Sequence, residues 1–374
     1  MNVKDKNCKR IIPSIIAGIL ITGTISISCT DSSEEYYTEA DFKKMNKIDA
    51  HCHINSDRFA FMEQALEDNF RILTINTDAP LGFTAREQME QALYQIEAFP
   101  HNLAFVSTFP MEGWQNEEWL QNTMAYLEET FEKGAIGVKV WKNIGMVERD
   151  NNGRFIMIDD ELFDPIFSYL EERGIPLVGH LGEPRNCWLP LEEMTVNNDK
   201  AYFKNNPEYH MYLHPEFPSY EDQIDARDRM LEKYPGLKFM GAHLASIEWS
   251  VDELAKHLDR FPNATVDLAE RMCHVQAQSI DNREKVRDFF IKYQDRIIYG
   301  TDRGDYSGAE QDPVKLKELA HTEWLSDWKF LTTDKKMSSW KVEGEFTGLK
   351  LPRTVIDKIY YRNAENLFPQ FKNL

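Results

Sequence analysis

The sequence predicts an α/β protein built as a closed (β/α)8 barrel, the TIM-barrel class, and three observations predict it. Short runs rich in Val, Ile and Phe recur eight times, over 47–54, 71–77, 103–109, 135–141, 176–181, 237–243, 264–269 and 296–302. Longer stretches with helical apolar spacing separate them, over 57–69, 84–99, 116–133, 159–173, 220–233, 247–260 and 283–293. Residues 46–370 exceed the ~250 that such a barrel needs, which leaves room for insertions. An open, doubly wound sheet is the competing architecture. It favours a glycine-rich turn after the first strand, and none follows His53.

The elements read in order as follows. Lys4, Lys6, Lys9 and Arg10 precede an apolar run from Ile11 to Ile27, and small residues lead into Cys29, so residues 1–28 read as an export signal. A transmembrane anchor is the other reading, but Pro13, Ser14, Gly18, Thr22 and Gly23 interrupt a run already short of the ~20 apolar residues a bilayer demands. Ser26-Ile27-Ser28-Cys29 resembles a bacterial lipoprotein cleavage site that would leave Cys29 acylated, with a serine at 26 where leucine is commoner. That places the protein in the cell envelope on a lipid anchor, with plain secretion as the alternative. Residues 29–45 form a polar tether.

Within the barrel, Gly134, Gly174 and Gly236 fall just after helices, where a left-handed cap is wanted. Two segments are longer than ordinary loops. The stretch 183–219, after the fifth strand, holds Trp188, Tyr202, Phe203, Tyr209, Tyr212 and Phe217, and reads as a lid or as an excursion packed on itself. The stretch 303–351, after the eighth, holds Trp324, Trp328 and Trp340.

Charge and cysteine usage narrow the function. The chain carries a formal charge of −19, and removing residues 1–28 takes away four positive charges and one negative. Such a surface repels phosphate backbones, which argues against nucleic acid as a partner. Beyond Cys29, only Cys52, Cys187 and Cys273 lie in the barrel region, with no spacing that suggests a disulfide framework or a cysteine zinc site.

The candidate chemistry lies at the strand ends. His51 and His53 are two apart in the first strand and therefore share a face. His180, His243 and Asp302 end the fifth, sixth and eighth strands. Taken singly, each histidine reads as readily as a hydrogen-bonded core residue. In a closed barrel the carboxyl ends of strands converge on one mouth, so together they read as a divalent-metal site. Arg271 and Arg303, just past strands seven and eight, are candidates for gripping an anionic substrate. Glu183, beside His180, is a candidate for a substrate hydroxyl. Of the other histidines, His214 and His274 lie near mouth loops, while His101, His210, His257 and His321 read as ordinary, and Lys142 has no assigned role.

The order His51-Cys52-His53, His180, His243, Gly300-Thr301-Asp302 and the closing run from Tyr361 to Phe368 resembles the amidohydrolase superfamily. Within it the chain is most similar to the amidohydrolase-related group, which also contains metal-dependent decarboxylases and lactonases. The resemblance implies that His51, His53, His180 and Asp302 hold one divalent metal, zinc first, with manganese and iron tolerating the same ligands. It implies that Asp302 is also the general base and that His243 orients the attacking water or contacts substrate. Some members bridge two metals with a carbamylated lysine at the end of strand four. Lys139 lies near that place, and a substrate contact is the expectation here. The functional expectation is a metal-dependent hydrolase of a small polar molecule, cleaving a carbon–nitrogen bond, lactone or ester. A decarboxylase on the same barrel is the first alternative, and a non-catalytic ligand-binding lipoprotein the second. A homo-oligomer is compatible with either enzyme.

Overall fold

A computed structural model describes residues 35–306 and 312–374. The stretch read as an export signal, Cys29 and the first part of the tether, up to residue 34, lie outside the described residues. Eight parallel strands follow one another around the sheet in sequence order: β1 (Lys47–Asn55), β2 (Phe70–Ile75), β3 (Leu103–Thr108), β4 (Val138–Val140), β5 (Leu177–Gly179), β6 (Phe239–Gly241), β7 (Ala264–Asp267) and β8 (Ile297–Ile298). The ring closes where Ala50 donates its backbone N–H to the Tyr299 carbonyl (3.0 Å) and Asp302 donates to the His51 carbonyl (2.7 Å). Gly300 permits this approach, because a Cβ there would lie 2.8 Å from the Cβ of His51. A short continuation, β9 (Arg303–Tyr306), runs on beside β1.

The helices between strands are α1 (Ala60–Glu67), α2 (Ala85–Ala98), α3 (Trp119–Glu132), α4 (Asp164–Arg173), α5 (Asn197–Asn205), α6 (Tyr220–Lys233), α7 (Val251–Arg260), α8 (Met272–Lys292) and α9 (Pro313–Thr332). Their starts are written locally. Thr84 with Glu87 and Ser219 with Asp222 form capping boxes on α2 and α6. Gly174 ends α4 in the left-handed conformation (φ 61°), as expected, whereas Gly236 has no positive φ. Helix α8 begins at Met272, before the expected 283, and is broken at Asn282. Helix α9 lies inside the stretch read as an insertion, where Asp312 caps it and Pro313 opens it.

Ile48, Ala50, Leu73, Ile75, Val106, Val178, Met240 and Ile298 fill the barrel interior, and Phe368 and Phe371 pack onto the same cluster from the C-terminal segment. A second layer joins the outer faces of the strands to the helices, with Phe61, Phe70, Trp324, Trp328 and Tyr360 at its centre. The segment between β5 and α6 carries its own small core of Cys187, Met194, Phe203 and Met211, with Trp188 and Phe217 packed against it. That is the self-packed form of the excursion. After α9 comes a two-stranded hairpin, β10 (Lys336–Ser338) with β11 (Glu345–Thr347). Among the described residues no helix is long and apolar enough to cross a membrane.

Candidate metal centre

The phase of β1 decides where its histidines point. Ile48 and Ala50 face the interior, so strict alternation would turn His51 and His53 outward with Lys47 and Asp49. The register against β2 slips between Asp49, opposite Ile72, and Cys52, opposite Thr74, so three residues span the length of two. This bulge turns His51 inward directly after Ala50, and from there His53 follows inward while Cys52 and Ile54 join the outer layer.

His51 Nε2 and His53 Nε2 then lie 3.4 and 2.9 Å from Asp302 Oδ1. One ligand atom from each of these three residues falls within 4.8 Å of the others. His243 Nε2 stands 3.9 Å from Asp302 Oδ2, and its ring is 5.0 Å from that of His51. His180 packs edge-on against His243, ring centroids 4.2 Å apart, with Nε2 3.9 Å from Glu183 Oε2.

Three of these rings are held through Nδ1. His53 Nδ1 lies 2.7 Å from the Ile75 carbonyl, His243 Nδ1 lies 2.9 Å from the Ala269 carbonyl, and His51 Nδ1 lies 2.8 Å from Asp267 Oδ2. Carbonyl and carboxylate oxygens only accept, so Nδ1 carries the proton and Nε2 presents a lone pair. Burial pushes His51, His180 and His243 below the ordinary histidine range, the last two well below it, which keeps those rings neutral.

The residues therefore fit a divalent cation. The Nε2 lone pairs of His53 and His51 face a carboxylate oxygen at 2.9 and 3.4 Å, a repulsive arrangement that a shared cation relieves. These are the separations of neighbouring ligand atoms when each lies about 2.1 Å from a shared ion. The buried Nε2 atoms of His180 and His243 have no hydrogen-bond partner, which suits the same conclusion.

The backbone at the mouth is strained. His243 (φ 59°), Glu270 (φ 54°) and Asp302 (φ 65°) adopt the left-handed conformation just beyond β6, β7 and β8. For residues with a Cβ this costs roughly 1–2 kcal/mol each. Such strain persists where the surrounding structure over-determines it, as functional sites do.

The remaining candidates take varied places. Lys139 is buried inside the ring, its Nζ 3.4 Å from His51 Nε2, and burial pushes it down to about 8 against the pull of Asp267 and Asp302. Glu183 is paired with Lys142. Arg303 is engaged by Glu323. Arg271 is 7% exposed, donates to the Glu270 carbonyl at 3.2 Å, and leaves Nε without a partner. His274 pairs with Asp199 at 3.0 Å beneath the excursion. Asp267 was missed by sequence reasoning: it accepts from His51 Nδ1 and also, at 2.7 Å, from the His243 backbone N–H, so one carboxylate orients the His51 ring and pins the backbone of His243. Its signal was a carboxylate at a strand end, hidden because the seventh strand reads as running on to Ala269.

The sequence profile described as amidohydrolase, of the amidohydrolase 2 type, matches residues 48–370. The chain belongs to this family. Among solved structures, this amidohydrolase is similar to an uncharacterised TIM-barrel protein of Bordetella bronchiseptica, at 16% identity over 88% of this chain and 100% of the other, with a TM-score of 0.50. Two further similar structures are a 2,6-dihydroxybenzoate decarboxylase from Rhizobium (12% identity, 87% and 99% covered, TM-score 0.48) and a probable 2-pyrone-4,6-dicarboxylic acid hydrolase from Acinetobacter baumannii (12%, 87% and 100%, TM-score 0.45). Comparison with curated proteins gives no match.

Proposed function

We propose that this amidohydrolase is a metal-dependent hydrolase that cleaves a carbon–nitrogen bond, lactone or ester of a small anionic molecule. The observation that carries the reading is the gathering of His51, His53 and Asp302 ligand atoms within 4.8 Å at the barrel mouth, with the unpartnered Nε2 atoms of His180 and His243 among the same buried rings. A divalent ion held by His51, His53 and Asp302, with His180 as the further ligand, supplies Lewis acidity that polarises a carbonyl and brings the pKa of water towards ~7.

The chain's own groups do the rest. A quarter of the Asp302 side chain is exposed, so as a carboxylate it can accept the proton of the attacking water and return it to the leaving group. His243 has committed Nδ1 to the Ala269 carbonyl, so Nε2 can only accept; it orients the water rather than donating to an oxyanion. Asp267 keeps His51 in the required tautomer and fixes the backbone of His243, whose ring is set by the Ala269 carbonyl. Arg271, buried and with an unused N–H, anchors the anionic end of the substrate, while Lys139, Glu183 and Arg303 line or support the approach.

Arg271 also favours a second reading. A guanidinium beside His180 and His243 would equally hold the carboxylate of an acid that loses carbon dioxide. A panel of lactones, amides and small carboxylic acids, followed for product and for carbon dioxide, separates the two. Activity lost to a chelator and restored by zinc or manganese supports either enzyme, whereas ligand binding without turnover under metal-loaded conditions overturns both. We also propose that lipid on Cys29 holds the protein at the cell envelope, supported by the segment 26–29. Labelling with a palmitate analogue, abolished by Cys29→Ser, is the expected result.

A further inference from the structure

Two buried polar side chains above the metal centre have no hydrogen-bond partner among the described residues. Asn55, the last residue of β1, is 1% exposed, and neither its Nδ2 nor its Oδ1 has a partner. Thr77, two residues past β2, is 2% exposed, and its Oγ1 has none either. Asn55 shares the inward face of His53, two residues further towards the mouth, which is about 7 Å along a strand. Thr77 likewise follows Ile75, an interior residue. Continuing the register in which Cys52 lies opposite Thr74 sets Asn55 beside Thr77, and the contact of His53 Nδ1 with the Ile75 carbonyl agrees with it.

The position of Thr77 is not left to chance. The Gln88 carboxamide accepts from the Thr77 backbone N–H at 2.9 Å and donates to its carbonyl at 2.7 Å, which pins the residue from the outside. A buried donor or acceptor without a partner is rare in folded proteins because each costs about 1–3 kcal/mol. Here two adjacent side chains on one face contribute three such atoms, next to a site that already has a reason to stay open. Asn76, between them in sequence, is also unpartnered, but alternation turns it to the outer face.

We propose that Asn55 and Thr77 form a substrate subsite for a neutral group that both donates and accepts, a hydroxyl or a carboxamide. The chemistry of the pair sets the class. A carboxylate would satisfy the Asn55 amide N–H and the Thr77 hydroxyl but would oppose the Asn55 carbonyl oxygen. An ammonium would satisfy the oxygens and leave the Asn55 N–H groups bare. A hydroxyl or carboxamide completes all of them. The inference rests on the metal-centred reading above and adds to it that the substrate carries this group as well as the anionic end held by Arg271. Sites of this kind discriminate strongly, because a substrate lacking the group leaves buried polar atoms unpaired.

The test uses the zinc-loaded full chain, titrated calorimetrically with benzoate and with 2-, 3- and 4-hydroxybenzoate. At least one hydroxy isomer binds roughly tenfold tighter than benzoate, the gain of one completed hydrogen-bond set. In Thr77→Val and Asn55→Leu that ratio collapses towards one, while the melting temperature holds or rises, since an unpaired polar group has been removed. Equal binding of all four acids by the native protein overturns the subsite. So does a preference that survives both substitutions together with a melting temperature lowered by several degrees, which is the signature of structural buried water. Failure of the native chain to retain zinc, or to bind even benzoate, sinks the metal-centred reading itself and is visible before any variant is made.

Discussion

The two faces of β1 are both buried and both polar, yet they differ in one respect. On the outer face, Asp49 accepts from the Thr301 N–H (3.0 Å), the Thr301 hydroxyl (2.6 Å) and the Trp324 indole (2.8 Å). Lys47 on the same face donates to the carbonyls of Met45 and Phe42 and sits over the Phe42 and Phe70 rings. On the inner face, Asn55 has no partner, and the His51 and His53 lone pairs confront Asp302. Buried polarity that is satisfied within the protein is framework. Buried polarity left open, a few residues away on the same strand, awaits a ligand.

The largest break in that comparison is Asp302→Asn. It removes the base and a metal ligand together, so kcat/KM on any substrate identified falls by roughly 10³-fold or more, while the melting temperature and circular dichroism stay near native. Retention of substantial turnover would contradict the role given to Asp302. Asp267→Ala comes next. Losing the carboxylate that orients the His51 ring and pins the His243 backbone weakens metal affinity by about 10–100-fold, measured by competition with a chromogenic chelator. A variant that binds metal as tightly as native would make Asp267 framework rather than support of the site.

The outer face should respond in the opposite way. Asp49→Ala strands the Trp324 and Thr301 donors and lowers unfolding stability by about 2–3 kcal/mol in a urea titration. Among molecules that remain folded, metal content per chain is expected to match native. The smallest effect separates a framework histidine from those of the site. Burial, helped by the Arg227 charge, pushes His257 down to about 4. An unfolded histidine titrates near ~6.5, so between those values the unfolded state takes up a proton that the folded state refuses. Stability is therefore full above pH ~6.5 and declines as pH falls towards 4, with and without metal. His257→Gln flattens this part of the profile, and an unchanged slope in that variant would mean that other groups carry it.

Much of this was legible in the sequence for identifiable reasons. The eight apolar runs and the helices between them are local patterns, and the ring they imply is the ring observed. His51, His53, His180, His243 and Asp302 could be picked out because chemistry in such a barrel gathers at the strand ends. Other features escaped. Helix α9 was hidden in a stretch judged by its length between strands, although Asp312-Pro313 is a start signal. Glu270 and Asp267 lie at the end of a strand whose boundary was read two residues too far along.

What the amino-acid order alone determined is the succession of elements and the inventory of ligating groups, because periodicity and side-chain chemistry are properties of neighbours in the chain. Only the tertiary structure decided that His51 turns inward, since the bulge exists in the register of β1 against β2 and in the closure onto Tyr299 and Asp302. It alone also decided which buried polar atoms find partners. Asp49 is met by a tryptophan 275 residues away, and the Asn55 side chain is met by no partner among the described residues. Satisfaction of a polar group depends on what the folded chain brings beside it, and that is not written next to it in the sequence.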